Sequence, residues 1–452
     1  MCVANAIGTF SFYALLTLIA LVAVPYGSAE PWWKAVFQCT IFLLTALSVV
    51  QRLIWFEQTS RDVSLILPAL ALIGFALIQT ISWSHYTVGG VDNLTQTISA
   101  DPAETRRFVS QFAALVAAGW LLVLHGNSRR RLRLLIELVI VVGLFSAGFG
   151  LLRQAIQQNI GFFLPYLRPR YGFAQFINRD HFVFMMEMVL GLSLGIVVCR
   201  GTNVRRLALY LIAAVPMWLA LVLTNSRGGI FSMLCQVLML AWLLASNRIA
   251  RLEEEAPGGT FIRRARTVGI RVVLIAVLFI AAIAGVVFVG GEPLSRKLDT
   301  IAVELNPKVA QSYTLRLNIW QATKDLIKDN PVTGIGFGGY WIAITKYHQA
   351  NGEVTPQEAH SEYLELLASG GLVGGVIGIW FIYSLIRTAR RKLANADPYQ
   401  RAVTLGALTG VATVAIHSLV DYGLHVTINA LLLTVLISII VMNDKQSELT
   451  EA

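Results

Sequence analysis

Two polar constellations in this 452-residue chain are built for chemistry, one around a histidine and one around arginines. His360 lies in Thr355-Pro356-Gln357-Glu358-Ala359-His360-Ser361-Glu362-Tyr363. Thr355 has the form of a helix N-cap, Pro356 fits the first turn, and Glu358 at the third position can close a capping box. The pattern predicts a helix with His360 in its second turn and Tyr363, Leu364 and Leu367 on its face, broken by Gly370-Gly371. An imidazole held in this way titrates near neutrality and can take a proton from a hydroxyl. Taken alone it is as readily an ordinary exposed loop histidine.

Arg227 sits in Thr224-Asn225-Ser226-Arg227-Gly228-Gly229, a short turn between two apolar stretches. A fixed guanidinium there suits a phosphate at lipid-headgroup depth; the plainer alternative is a snorkelling anchor. Arg179 belongs to Asn178-Arg179-Asp180-His181, which opens another apolar stretch, with Glu187 about two turns further in. A carboxylate at that depth must face a partner or a cavity, and an outer arginine is the expected partner. Glu137, near a basic helix end, needs only Arg130 or Arg133. His417, Asp421 and His425 are spaced four residues apart. If helical they form one stripe, which suits hydrogen-bonded packing better than a metal.

These groups must be positioned by membrane helices. Hydrophobic residues make up 56% and charged residues 14%, too few charges to cover a soluble protein of this size. The expected fold class is an all-α polytopic membrane protein with about twelve spans. They run about 7–26, 35–50, 63–83, 108–124, 134–152, 181–199, 207–223, 228–246, 272–290, 371–386, 402–420 and 428–442. Residues 1–10 carry no Lys or Arg, so the first reads as an anchor rather than a signal peptide. The chain divides into 1–290 (spans one to nine), 291–370 (a large extracytoplasmic helical loop carrying His360) and 371–452 (spans ten to twelve and a cytoplasmic tail).

With the N-terminus inside, the inner segments hold 21 Lys and Arg in 78 residues and the outer ones 15 in 151. The excess places both termini in the cytoplasm and the chemistry outside. The net charge of +10 is then loop charge that sets topology. No basic stretch interleaved with aromatics argues for nucleic acid. Cys2, Cys39, Cys199 and Cys235 match no metal or redox spacing.

In the large loop, residues 312–329 place Leu315, Ile319, Ala322 and Leu326 on one helical face, ended by Asn330-Pro331. Gly334-Ile335-Gly336-Phe337-Gly338-Gly339 superficially matches a dinucleotide fingerprint, but no strand precedes it. A tight turn that lets Gly336 approach a ligand or another helix is the better reading.

Taken together, the chain resembles the superfamily of O-antigen ligases and O-antigen polymerases. The resemblance rests on Asn178-Arg179-Asp180-His181, Ser226-Arg227-Gly228-Gly229, Leu315-Arg316 followed by Trp320, Pro331-Val332-Thr333-Gly334-Ile335-Gly336, Ala359 to Leu364, and Gly370 to Gly374. It extends from about residue 170 to 442. Ser361 stands where the family usually has Asn, and Ser369 where it often has an acidic residue.

The resemblance implies a bacterial inner-membrane enzyme that moves a glycan from a polyprenyl diphosphate carrier to an acceptor hydroxyl on the periplasmic side. The acceptor is a glycan, lipid A–core or another hydroxyl. His360 is then the catalytic base. Arg227, Arg316 and Arg179 hold the diphosphate, and Glu187, Ser226, Asp421 and Gly336 support them. Arginines at the leaving group make a metal or other cofactor unnecessary, and no Asp-x-Asp motif occurs. Attack opposite the diphosphate inverts the anomeric carbon. A polymerase that extends lipid-linked repeats is the alternative with the same donor chemistry. A polysaccharide or lipid transporter and an assembly platform are alternatives of other classes.

Overall fold

The computed structural model describes residues 2–55, 64–88, 91–156, 164, 167, 172–255, 280, 284, 315–348, 356–394 and 397–442. The expected ninth span, 272–290, lies outside these apart from residues 280 and 284, as do residues 291–314 of the large loop. Helices cover the other eleven expected spans: α1 (Cys2–Ala23), α2 (Pro31–Trp55), α3 (Ile66–Gln79), α4 (Pro102–His125), α5 (Arg129–Ile156), α6 (Arg179–Val198), α7 (Val204–Leu223), α8 (Arg227–Glu255), α11 (Glu362–Ala394), α12 (Pro398–His417) and α13 (Thr427–Val441). Between α8 and α11 stand α9 (Leu315–Asp329) and the single turn α10 (Tyr340–Ala343). Seven of the described helices are long and apolar enough to cross a bilayer. The chain is an all-α polytopic membrane protein, with one exception. Ser84–Val88 and Val91–Gln96 form an antiparallel hairpin, Ser84 opposite Gln96, where the sequence reading expected only a loop. The two residues between the strands, Gly89-Gly90, are the hairpin signal that was available.

Side-chain caps decide where several helices begin. Asp101 accepts from the backbone N–H groups of Ala103 and Glu104, both at 3.1 Å, so α4 starts at Pro102 rather than near 108. Asn178 accepts from Asp180 N–H, Asn203 from Arg206 N–H, and Asp397 from Tyr399 and Gln400 N–H, starting α6, α7 and α12.

The bundle closes around α6, most of whose side chains are buried. Its most extensive partner is the antiparallel α12. Small residues make that approach possible: a Cβ on Gly191 would lie 2.5 Å from the Cα of Gly410, and Gly195 abuts Gly406 in the same way. Two Gly-x-x-x-Gly stripes thus meet face to face. In lipid, close backbone packing of this kind stands in for a hydrophobic driving force between helices. Large apolar side chains such as Leu43, Phe145 and Ile379 point outward, as expected of surfaces that meet acyl chains.

The helix ends that residue counting assigned to the basic side gather at one end of the bundle. Ser48 Oγ meets His125 Nε2 at 2.9 Å, Arg131 donates to the His125 carbonyl and to Thr9, and Arg129 and Arg133 lie over the Tyr399 ring. Glu137 pairs here with Arg206 at 3.5 Å, not with Arg130 or Arg133. At the opposite end Ile428 N–H donates to the Gly27 carbonyl, Thr427 to the Ser28 carbonyl and Asn429 to the His181 carbonyl.

At that second end α9 and α10 build a small core of their own, Ala322, Leu326, Ile335, Tyr340, Ile344, Ala359 and Ala368. The face expected of α9 is confirmed at Ile319, Ala322 and Leu326. The glycine turn 334–339 plugs into a break in α11 at Gly371, where φ is +57°. Ile335 and Gly336 N–H donate to the Ala368 and Ser369 carbonyls, and Leu372 and Val373 N–H donate back to Pro331 and Val332. Gln79 Nε2 donates to both the Thr333 and Ser369 carbonyls. The polar backbone groups freed by the break are thereby satisfied inside protein, as a membrane-depth break requires.

Candidate functional site

His360 is not in a helix. The capping expected from Thr355 lies partly outside the described residues, and Pro356 to His360 are non-helical. The cap is Ser361, whose Oγ accepts from Leu364 N–H at 3.5 Å, and α11 starts at Glu362. Serine and asparagine both cap helices well, which gives a physical reason why Ser361 can stand where the family has Asn. His360 precedes the cap with φ +51°, an unfavourable backbone for a residue with a Cβ and the kind of strain that surrounding structure must hold in place.

What holds it is the turn after α12. The stripe that His417, Asp421 and His425 would form if helical is not continuous, because α12 ends at His417 and a 3-10 turn, Gly423–His425, follows. The break sends the three side chains to different partners. Asp421 Oδ1 lies 3.6 Å from His360 Nδ1 and accepts from Tyr422 N–H at 3.0 Å. Its Oδ2 accepts from Arg316 Nη2 at 3.1 Å, while Arg316 Nη1 donates to the Val420 carbonyl. Asp180 Oδ2 adds a longer contact to Arg316 at 3.7 Å. The Tyr422 ring stands edge-on to His360, 4.7 Å between centroids, and to His181 at 5.1 Å. Burial alone would raise the Asp421 pKa, but His360, Arg316 and His417 outweigh it and hold the carboxyl well below the usual range. The carboxylate side chain is 2% exposed, against 25% for His360 and 44% for Arg316. A buried anion thus joins a half-open imidazole to an open guanidinium.

Ser226 caps α8, accepting from Gly229 N–H at 3.1 Å, and Arg227 is the exposed first residue of that helix. The two following glycines let α8 begin this close to its neighbours: a Cβ on Gly228 would lie 2.8 Å from His417 Nε2 and 3.1 Å from Val420, and one on Gly229 would meet Val183. Arg227 therefore opens at the same end as Val420, whose carbonyl Arg316 contacts. Arg179, also exposed, is the first residue of α6 beside Asp180. An arginine at a helix N-terminus adds its charge to the positive end of the helix dipole, an arrangement suited to an anion.

Glu187 does not pair with an outer arginine. It lies two turns into α6, fully buried, with His417 Nδ1 3.1 Å away and Ser232 donating to the same carboxylate. Gln236 donates to the Glu187 carbonyl and to Thr413. The α6–α12 approach delivers a histidine to this carboxylate instead. Gly336 lies against a neighbouring loop and helix, not among the charged groups: a Cβ there would meet Ser99 at 2.5 Å. Its part is to seat the turn against α11. Among the described residues no group of three or more His, Cys, Asp or Glu is arranged to hold a metal ion.

The sequence reading overlooked Asp180, Tyr422, Ser232 and the pairing of Asp421 with His360 and Arg316. Asp180 stood inside a quoted motif; for Tyr422 no sequence signal pointed inward.

Residues 212–379 match the family model described as O-antigen ligase. The matched stretch contains Arg227, Arg316, Gly336 and His360, and it supports the resemblance to the superfamily of O-antigen ligases and polymerases. Arg179, Glu187 and Asp421 lie outside it, so the link from the O-antigen ligase segment to Asp421 is made by the fold. No curated protein matches the chain.

Proposed function

We propose that the protein is an O-antigen ligase-like glycosyltransferase of the bacterial inner membrane, working at its periplasmic side with both termini in the cytoplasm. The observation that carries the reading is the chain His360–Asp421–Arg316, with Asp421 3.6 Å from the imidazole and 3.1 Å from the guanidinium. A carboxylate facing Nδ1 stabilises the imidazolium that forms and, on closing from 3.6 Å to hydrogen-bond distance, orients the ring, leaving Nε2 to act on substrate. His360 takes the proton of the acceptor hydroxyl as its oxygen attacks the anomeric carbon. The bond from that carbon to the carrier diphosphate breaks, and the electron pair leaves with the diphosphate. Attack and departure on opposite faces invert the centre. Arg227, Arg316 and Arg179 stabilise the departing charge. Arg316 retains donors after meeting Asp421 and Val420, since a guanidinium has five N–H groups. The arginines supply the charge that a divalent ion would otherwise supply. The excess of Lys and Arg at the opposite end of the bundle supports the orientation.

The test is reconstitution in liposomes with a polyprenyl-diphosphate-linked glycan and candidate acceptors. Wild type should transfer the glycan in the presence of EDTA, and His360→Ala should insert normally but lose transfer. Normal transfer by His360→Ala would remove the base assignment. Glycan moved to a lipid A–core or other acceptor marks a ligase, and lengthened carrier-linked repeats mark a polymerase.

A further inference from the structure

Two carboxylates and a histidine beside His360 have no part in the reaction above. His425 Nε2 lies 3.4 Å from Glu365 Oε1 and 3.6 Å from Glu362 Oε2. Each glutamate also binds backbone. Glu362 Oε1 accepts from Leu424 N–H at 2.9 Å, and Glu365 Oε2 from Ala359 N–H at 3.0 Å. Glu362 N–H in turn donates to the Ser418 carbonyl at 3.0 Å. Every one of these bonds either ties residues 359–365 to the turn 418–425 or fixes the residue next to His360. The Tyr422 ring, edge-on to both His360 and His425, fills the space between.

We infer that His425, clasped by Glu362 and Glu365, is a positioning group that holds the strained His360 backbone against Asp421. The inference rests on the reading of His360 as the base, but its first test does not. A residue at φ +51° relaxes unless held. Ser361 caps the helix behind it, and the clasp, the Glu362–Ser418 bond and the Tyr422 contact secure the front. The charged groups facing His425 are Glu362 and Glu365 from α11, Glu358 ahead of it, Lys34 from α2 and His181 from α6. Burial lowers the pKa of His425, yet Glu365, Glu362 and Glu358 outweigh that and raise it. The clasp is therefore tightest while His425 is protonated, a state the glutamates extend to higher pH than for a free histidine, and it loosens as the pH rises.

The test uses the full chain in phospholipid nanodiscs, with diethyl pyrocarbonate as the probe and mass spectrometry reading each histidine. In His425→Gln, carbethoxylation of His360 should rise several-fold at neutral pH while His348, in the 340–348 segment, is unchanged. Wild type should approach the variant's rate at alkaline pH. His425→Lys, which keeps a cation, should restore the wild-type rate at neutral pH. An unchanged His360 rate in His425→Gln overturns the proposal. If all histidines in His425→Gln become reactive together, the lysine variant decides: a restored His360 rate supports the clasp, and an unrestored one overturns it. If labelling behaves as expected and the glycan-transfer reading still fails, the clasp stands without the reaction.

Discussion

Arg316 and Asp421 are 105 residues apart in the chain and 3.1 Å apart in space. One comes from the helix of the large loop and the other from the turn behind a membrane helix. Their contact gives Asp421 a guanidinium neighbour besides the His360 imidazole. Asp421→Asn removes the anion that orients His360 and stabilises its cation. Loss of a general base's function costs about 10²–10⁴-fold, and Asp421→Asn should fall in that range in the liposome transfer assay. Loss below tenfold would mean that His360 does not depend on the carboxylate.

The same carboxylate sets a pH dependence of stability. Its folded pKa lies below the ordinary aspartate value. The contribution is therefore fully present above about pH 4, the unfolded value, and is lost as pH falls through the folded value. The difference in melting temperature between wild type and Asp421→Asn should be constant from pH 8 to about pH 5 and shrink only in stronger acid. A difference that shrinks already near pH 6 would contradict the depressed carboxylate.

Arg227 is the exposed first residue of α8, following the cap at Ser226. Arg227→Ala should still insert and lower transfer about 10²–10³-fold, the scale for removing one donor to developing charge. Arg227→Lys keeps the charge but loses the planar fork, and should recover only part of the rate. Equal activity in all three proteins would exclude Arg227 from the diphosphate site.

Glu187 and His417 are both fully buried and 3.1 Å apart. Glu187→Ala or His417→Ala alone leaves a polar partner stranded in the bundle, which costs about 3–5 kcal/mol for a buried pair. Each should lower the melting temperature in detergent markedly. Glu187→Leu combined with His417→Leu should lie closer to wild type than either single alanine variant. A milder effect of the single changes would show that water reaches the pair.

Gly191 and Gly410 place two backbones in contact. Gly191→Leu must force α6 from α12, and overpacking of this kind costs about 1–3 kcal/mol or more. The variant should melt earlier and should also lose transfer, because the α12 end carries the turn with Asp421. Retained activity with lowered stability would uncouple the helix contact from the site.

Much of the fold is legible in the residues. Apolar runs fall in helices at eleven of the expected spans, and seven of these helices have the length and apolarity that a bilayer demands, about twenty residues. The basic and non-basic segments sort to opposite ends for the electrostatic reason that residue counting uses. The caps at Asp101, Asn178, Asn203 and Asp397 are local, and local chemistry can be read along a chain. Thr355 misled for the same reason: it has a capping pattern, but Ser361 is the residue whose oxygen meets a helix N–H.

His360, Arg227, Arg316 and Arg179 could be named from residue type, flanking glycines and resemblance. That Glu187 faces His417 could not, since its partner is 230 positions away and depends on two glycine stripes meeting across α6 and α12. The end of the helix before Asp421 was signalled by the polar residues there, but the partners this gave Asp421 were not. The sequence by itself determined which segments form apolar helices, which end is basic and which side chains are chemically capable. Only the tertiary structure decided which of them meet, because pairing across a bundle is set by backbone approach and helix endings, and neither leaves a periodic trace in the chain.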